Sequence, residues 1–296
     1  MKLRFIVWVL LLLGSKARLV AQDQNLLSGI EDTTAKKEYV TAAFKSTRVI
    51  MSHSIEMLKP GVLDFRILHR FGNINQGIGE FFGLDDATIR LGLDYGLTKN
   101  FTLGIGRGSH RKEVDGFLKF RAVQQATGPG SAPFSLVLIG GATVLTDQWS
   151  GHKSDESFTN RLAYYSQLLL GRKFSDAFTL QLAPILVHRN LVDAQDDNNT
   201  VAIGVGGRLR LSRRISLNVD HYTIFNKTKS YNTYFPFSVG FDIETGGHVF
   251  QLHFTNAIGM NERAILTETA NRWGNGDIQF GFNISRAFQL KKQRLD

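Results

Sequence analysis

The chain has 296 residues, with 35 Lys and Arg against 26 Asp and Glu, a net charge of +9, 43% hydrophobic residues and no cysteine. The missing thiols exclude a cysteine nucleophile, a cysteine–zinc site and a cysteine-linked lipid anchor. A mean hydropathy of −0.11 is that of a soluble protein, but strands alternating between lipid and a polar lumen average to the same value. The basic balance suits nucleic acid as a partner, and equally anionic lipid or lipopolysaccharide phosphate.

Met1–Ala21 has the three parts of a secretory signal: Lys2 and Arg4, the apolar run Phe5–Leu13, and a small-residue end at Leu19-Val20-Ala21, with Gln22 as the first mature residue. The run is too short to span a bilayer as a helix. Lys16 and Arg18 are unusual ahead of a cleavage site. Residues 22–43 are polar and mixed in charge. The domain reading is a signal peptide over 1–21, a periplasmic N-terminal arm or lumen plug over 22–60, and an outer-membrane β-barrel over 61–290.

Beyond the signal, no stretch approaches 18 consecutive apolar residues, so helical spans are excluded. Period-two alternation recurs instead. Ile89, Leu91, Leu93, Tyr95 and Leu97 oppose Thr88, Arg90, Gly92, Asp94 and Gly96. Ile278, Phe280, Phe282, Ile284 and Phe288 oppose Asp277, Gln279, Gly281, Asn283 and Ser285. A soluble sandwich would alternate too, but here the connections sort by length. Tight turns fall near Thr98–Asn100, Lys173–Asp176, Arg213–Arg214 and Thr245–Gly247. Long polar loops fall near 72–85, 146–157, 189–199, 225–235 and 256–275. Short periplasmic turns and longer external loops mark outer-membrane barrels. The pattern predicts twelve strands over 61–71, 86–97, 100–109, 112–122, 134–145, 158–171, 177–188, 200–211, 215–224, 236–243, 248–255 and 277–289, with both ends periplasmic. The fold class is therefore all-β, a single closed antiparallel transmembrane barrel. The turns near 109–112 and 124–133 break the length rule. Phe44–Leu58 also looks extended and would make a thirteenth strand, so it is assigned to an arm or plug, with a fourteen-strand barrel as the rival.

Residues 44–72, FKSTRVIMSHSIEMLKPGVLDFRILHRFG, carry an F-K-S-T-R opening, an H-S-x-E element (His53, Ser54, Glu56) and a G-V-L-D-F-R-x-x-H-R-F-G strand. They resemble the start of an uncharacterised outer-membrane β-barrel family of Bacteroidota. The resemblance implies a barrel in the outer membrane and no particular activity.

By strand phase the lumen is lined by Asp64, Arg66, Arg70, Arg90, Asp94, Asp115, Lys119, Arg121, Arg161, Arg208, Arg210, Asp220, Asp242 and Asp277. Such charges must be hydrated or paired. Two readings are open: a polar channel with a mildly cationic wall that prefers small polar or anionic solutes, or an Arg–Asp ladder that fills a narrow barrel and passes nothing. Twelve strands lie between filled eight-stranded and open sixteen-stranded barrels. Lys45, Arg48, His53 and Glu56 are the charged positions of the arm or plug.

His69, His110, His188, His221 and His253 gather near the long-loop end, with His152 in a long loop. A metal site or a Ser/His hydrolase is the sharp interpretation. His69, His188 and His221 are in phase with apolar neighbours, which favours an aromatic girdle at headgroup level. Asp193, Asp196, Asp197 and Asn198 lack the spacing of a calcium loop. Gly104, Gly106 and Gly108 lie inside a strand pattern, where small residues serve a crowded lumen or a bend. Lys227, Lys229, Tyr231, Tyr234 and Phe235 mix charge with aromatics as a lipopolysaccharide-contacting or nucleic-acid surface does. Trp149 and Trp273 are loop or interface residues.

Taken together, the residues point to a non-enzymatic, porin-like barrel of a Gram-negative outer membrane: a narrow polar channel or a structural and binding barrel. It has no cofactor, no metal and no nucleic-acid partner. A lipid-acting barrel enzyme and a secreted soluble sandwich are the alternatives. Solute and oligomeric state are not encoded in any motif.

Overall fold

The computed structural model describes residues 36–147 and 157–291. The signal segment 1–21, residues 22–35, Trp149 and His152 lie outside the described residues. Twelve strands form the barrel: β1 (Val62–Asn73), β2 (Ala87–Gly96), β3 (Phe101–Gly108), β4 (Val114–Val123), β5 (Ser135–Val144), β6 (Leu162–Lys173), β7 (Phe178–Arg189), β8 (Asn199–Arg210), β9 (Ile215–Ile224), β10 (Phe237–Thr245), β11 (His248–Thr255) and β12 (Gln279–Gln289). Each pairs antiparallel with its sequence neighbour. β12 closes on β1, with Ile284 opposite Ile67 and Phe288 opposite Leu63. Closure removes both free edges, so neither the sandwich nor the fourteen-strand barrel survives. Among the described residues no helix is long and apolar enough to cross a membrane.

The outward face follows the alternation. Leu91, Leu93, Ile105, Leu118, Leu138, Leu182, Leu186, Val205, Phe241 and Leu252 are all exposed, which costs free energy in water and is favourable against lipid. Aromatic rings rim the band at both ends. Phe101 stacks on Phe120 at 4.6 Å between centroids near the short turns. At the long-loop end His69 stacks on Phe282 at 4.7 Å, and His221 contacts Phe235 and Phe237.

The inward face departs from a uniformly polar lining. On β5 to β7 the inward residues Val137, Ile139, Leu169, Ile185 and Val187 are buried and apolar. Both faces of these strands are apolar, so the wall there has a hydrophobic core to fill.

Two segments fill it. Residues 43–58 run inside the barrel from the short-turn end as a tight hairpin, not a strand. Arg48 and His53 form an isolated bridge, and the turn between them is closed by hydrogen bonds from Val49 N to Ser52 O and from Ser54 N to Thr47 O, both 2.9 Å. Phe44, Val49, Ile50, Met51 and Ile55 join the buried cluster. The segment's root is pinned at the short-turn end, where Glu38–Tyr39 pairs with Ala126–Thr127 in the connection after β4.

From the opposite end comes the β11–β12 connection, expected as a solvated loop. It instead folds inward around the helix α1 (Glu262–Thr267), all six residues of which are buried. Asn261 caps it by accepting a hydrogen bond from Ala264 N at 2.9 Å, the ordinary role of Asn at a helix start. Ile265 and Leu266 reach the same cluster as the hairpin.

Candidate functional site

The charged lumen residues divide by what they hold. One group is paired across the wall. Arg66 bridges Asp64 at 2.7 Å and Asp94 at 3.2 Å, and Arg90 grips Asp115 through Nε at 2.8 Å. Room for these guanidiniums comes from glycines on β3. A Cβ at Gly106 would collide with the Arg90 guanidinium, and one at Gly104 with the Phe117 ring.

A second group holds the hairpin. The Asp220 carboxylate on β9 accepts from three consecutive backbone N–H groups, Ile50 at 3.3 Å, Met51 at 2.9 Å and Ser52 at 2.8 Å, and from the Ser52 hydroxyl. Successive N–H groups converging on one anion form a backbone nest. Lys119 donates to the Ser54 and Glu56 carbonyls at 2.6 and 2.7 Å, and Arg208 to those of Ala42 and Ala43 at 3.1 and 2.9 Å. Asp242 binds the hairpin indirectly: Gln251 donates both to its carboxylate and to the Val49 carbonyl. Arg70 donates to His69 O and Asn283 Oδ1, each 2.9 Å away. No carboxylate among the described residues lies within ion-pair distance of it.

Four of the proposed lumen residues sit elsewhere. Arg161 precedes β6 in a short 3-10 turn, Phe158–Arg161, and donates to the Leu145 and Asp147 carbonyls. Asp277 lies in the loop before β12, accepting from Asn75 at 2.7 Å. Arg210 is exposed at the short-turn end of β8. Arg121, half-buried at the same end, donates to the Lys99 carbonyl. For Arg161 and Asp277 the expected strand had been carried too far into its loop. For Arg210 and Arg121 the phase is right, but the strand end lies past the filled part of the lumen.

Each charged position of the hairpin has a partner. Lys45 pairs with Glu244 at the short-turn rim. Glu56 accepts from Ala43 N and Phe44 N, tying the two legs together. Arg48 donates to the Met51 carbonyl at 2.9 Å and meets Glu262 of α1 at 3.1 Å. His53 Nε2 lies 3.3 Å from the same carboxylate oxygen, its ring edge-on to Phe117. The hairpin and helix thus meet in the middle of the barrel. Above them Arg263 grips Glu113 at 2.6 and 2.7 Å, and Glu268 gathers Arg263, Arg111 and His110.

Of the histidines, His69, His188 and His221 are on the outer side. His188 hydrogen-bonds Asn199, and His221 bonds Pro236 O and the Thr223 hydroxyl. His253 faces inward and is buried. Asp196 ties its loop to the next by accepting from Lys229 N, Ser230 N and the Ser230 hydroxyl. Among the described residues no group of His, Asp and Glu could hold a metal. Lys227 sits 3.7 Å over the Phe235 ring, and Trp273 donates to the Phe237 carbonyl. Sequence reasoning missed Glu113, Glu262, Arg263 and Glu268. For Glu262, Arg263 and Glu268 the signal was local only, an Asn-x-x-Ala-Ile-Leu helix start inside a supposed loop; Glu113 lay at the start of an expected strand with nothing to mark its partner.

A closed twelve-stranded barrel with an apolar outer band and aromatic rims is a membrane-bound β-barrel. The chain belongs to the family described as Membrane bound beta barrel domain (DUF5777), whose model matches residues 44–288. That match includes the hairpin with the wall. Solved structures similar to it include the NanC porin, at 10% identity over 77% of this chain and 100% of that one with a TM-score of 0.49. An outer membrane channel from Pseudomonas putida F1 has 13% identity over 79% of this chain and 98% of that one, with a TM-score of 0.45. The KdgM porin has 8% identity over 77% and 98%, with a TM-score of 0.44. No curated protein matches the chain in sequence.

Proposed function

We propose that this chain is a non-enzymatic outer-membrane barrel of a Gram-negative bacterium, in the Bacteroidota, and that its lumen is stoppered by its own residues 43–58. The signal-like first 21 residues support export. The length sorting of the connections supports an orientation with the short turns and both barrel ends in the periplasm and the long loops outside. Outer-membrane lipid and lipopolysaccharide would then surround the apolar band. The observation that carries the reading is the nest of Ile50, Met51 and Ser52 on Asp220, set in an apolar cluster shared by wall, hairpin and helix. Water-filled pores have no use for Val137, Leu169 and Val187 on the inside. A packed stopper does, at about 1.5–3 kcal/mol for each large apolar side chain it buries.

Gated passage of small polar or anionic solutes is a second reading, favoured by one feature. Arg66, Arg70, Arg90, Lys119 and Arg208 would line the path if the hairpin withdrew, and a cavity of about 560 Å³ already lies around its root. Single-channel recording of the refolded full chain in a planar bilayer tests the stopper. Long silent periods are expected, and conductance steps when residues 40–58 are deleted. Steady ohmic conductance of the full chain, equal to that of the deletion, would overturn it.

A further inference from the structure

At the long-loop end, apart from the stopper, a cavity of about 200 Å³ is lined by Arg111, Arg161, Arg189, Arg263, Tyr231 and Glu268. One water needs only roughly 10–15 Å³ of such space, so the cavity has room for a polyatomic group. Its charges are unequally satisfied. Glu268 is already engaged by His110, Arg111 and Arg263, and Arg263 and Arg111 also bind Glu113 and Asp147. Among the described residues Arg161 and Arg189 have no such partner. Among those residues Arg161 donates to the carbonyls of Leu145 and Asp147, and Arg189 to that of Asp197 at 3.4 Å. The Arg189 Nε is buried without a hydrogen-bond acceptor. No carboxylate among the described residues comes within 4.0 Å of either guanidinium. Asp193 borders the same cavity, but it is exposed on the rim.

We infer that this cavity binds a phosphate group presented from the long-loop side. Two guanidiniums from separate segments, one at the end of β7 and one ahead of β6, line it with no carboxylate among the described residues paired to either. Arginine's planar fork matches phosphate oxygens in pairs. A tetrahedral phosphate can take donors from two directions at once, whereas a planar carboxylate is largely satisfied by one fork. The buried, unpartnered Nε of Arg189 is a donor whose desolvation is compensated only when an acceptor arrives. The saturated Glu268 cluster forms the floor, so the site does not depend on whether the lumen conducts. The phosphate could be carried by a soluble phosphate monoester or by a lipopolysaccharide headgroup.

Isothermal titration of the full chain in a zwitterionic detergent at low ionic strength, with inorganic phosphate as the probe, tests this. Saturable binding is expected, weakened at least tenfold in the Arg161→Gln/Arg189→Gln variant, while circular dichroism still reports the barrel. Should that variant not fold, phosphate protection of Arg161 and Arg189 from phenylglyoxal, read by mass spectrometry on the unaltered chain, reports the same contact. A second titration with lipid A in mixed micelles separates the sources. Tighter binding there, sensitive to the same two arginines, assigns the phosphate to lipid, and tighter binding of glucose 1-phosphate assigns it to a soluble ester. No saturable binding of any of the three probes, equal affinity in the variant, or a tenfold preference for glucuronate over phosphate would overturn the inference.

Discussion

Arg48 and Glu262, 214 positions apart in the chain, meet at 3.1 Å in the middle of the barrel. One arrives on a hairpin from the short-turn end and the other on a helix from the long-loop end, each almost wholly buried. The two halves of the lumen filling are therefore joined through one carboxylate, which His53 also approaches.

Breaking that junction on one side should cost more than removing it altogether. Glu262→Gln leaves the Arg48 guanidinium buried beside a neutral group, a loss of about 3–5 kcal/mol by precedent for buried pairs. The Arg48→Met/Glu262→Leu double variant should recover most of it. Urea unfolding in detergent measures the difference. Failure of the double change to recover stability relative to Glu262→Gln would contradict a penalty from the unpaired buried guanidinium.

Asp220 should govern whether the hairpin stays inside. Asp220→Ala removes the acceptor of three backbone N–H groups, each charge-assisted bond being worth about 1.5–3 kcal/mol. The Ile50–Ser52 turn is then expected to become open to proteolysis while the wall remains resistant. Limited proteolysis with peptide mapping reads this directly. Unchanged resistance across residues 43–58 would mean the apolar cluster alone seats the hairpin.

The clasp around Glu268 sets a pH range. Burial pushes its carboxyl up, but the Arg263 guanidinium beside it and the hydrogen bond from His110 outweigh burial and hold it well below the usual carboxylate range. Because the folded group is the stronger acid, its contribution to stability is fully present above the ordinary glutamate pKa of about 4.3. It declines only as pH falls below that value, toward the depressed folded one. Cleavage of the 256–275 connection should accordingly be constant from about pH 5 to 8 and rise in stronger acid. Glu268→Gln should raise it across about pH 5 to 8, with the difference shrinking in stronger acid. A cleavage rate that rises between pH 8 and 5 would contradict this assignment.

The outward face is tested by charge. Leu118, mid-strand on β4 and 61% exposed, should lose about 2–4 kcal/mol on substitution by Arg if it meets the bilayer centre. The same change at Leu211, past the end of β8, should cost about 0–1 kcal/mol near the interface. Unfolding in lipid vesicles distinguishes them, and equal small effects at both would argue against a lipid-facing band.

Much of the wall was legible because strand side chains alternate strictly. β9 and β11 run over the expected 215–224 and 248–255, and most other strands begin and end within one or two residues of their sequence-based bounds. The pleat also placed Arg66, Arg90, Lys119, Asp115 and Asp220 on the buried side. The misplacements come from strand ends, as at Arg161, Arg210 and Asp277, where alternation gives way to turn chemistry. The 256–275 connection was misread because a short capped helix inside a polar loop has too few residues for a helical period to show.

By itself, the sequence determined a closed, even-stranded membrane barrel with charged residues on its inner face, because period-two alternation and turn length are local properties of the chain. It could not say what those inner charges hold. Strand phase puts Asp220 inside, but only the curvature of twelve strands and the path of residues 43–58 bring the backbone of Ile50, Met51 and Ser52 onto it. Likewise Arg48 and Glu262 lie in segments with no local reason to meet. Such partnerships are set by long-range packing in a confined lumen, where each buried charge must find a partner and the tertiary fold determines which one.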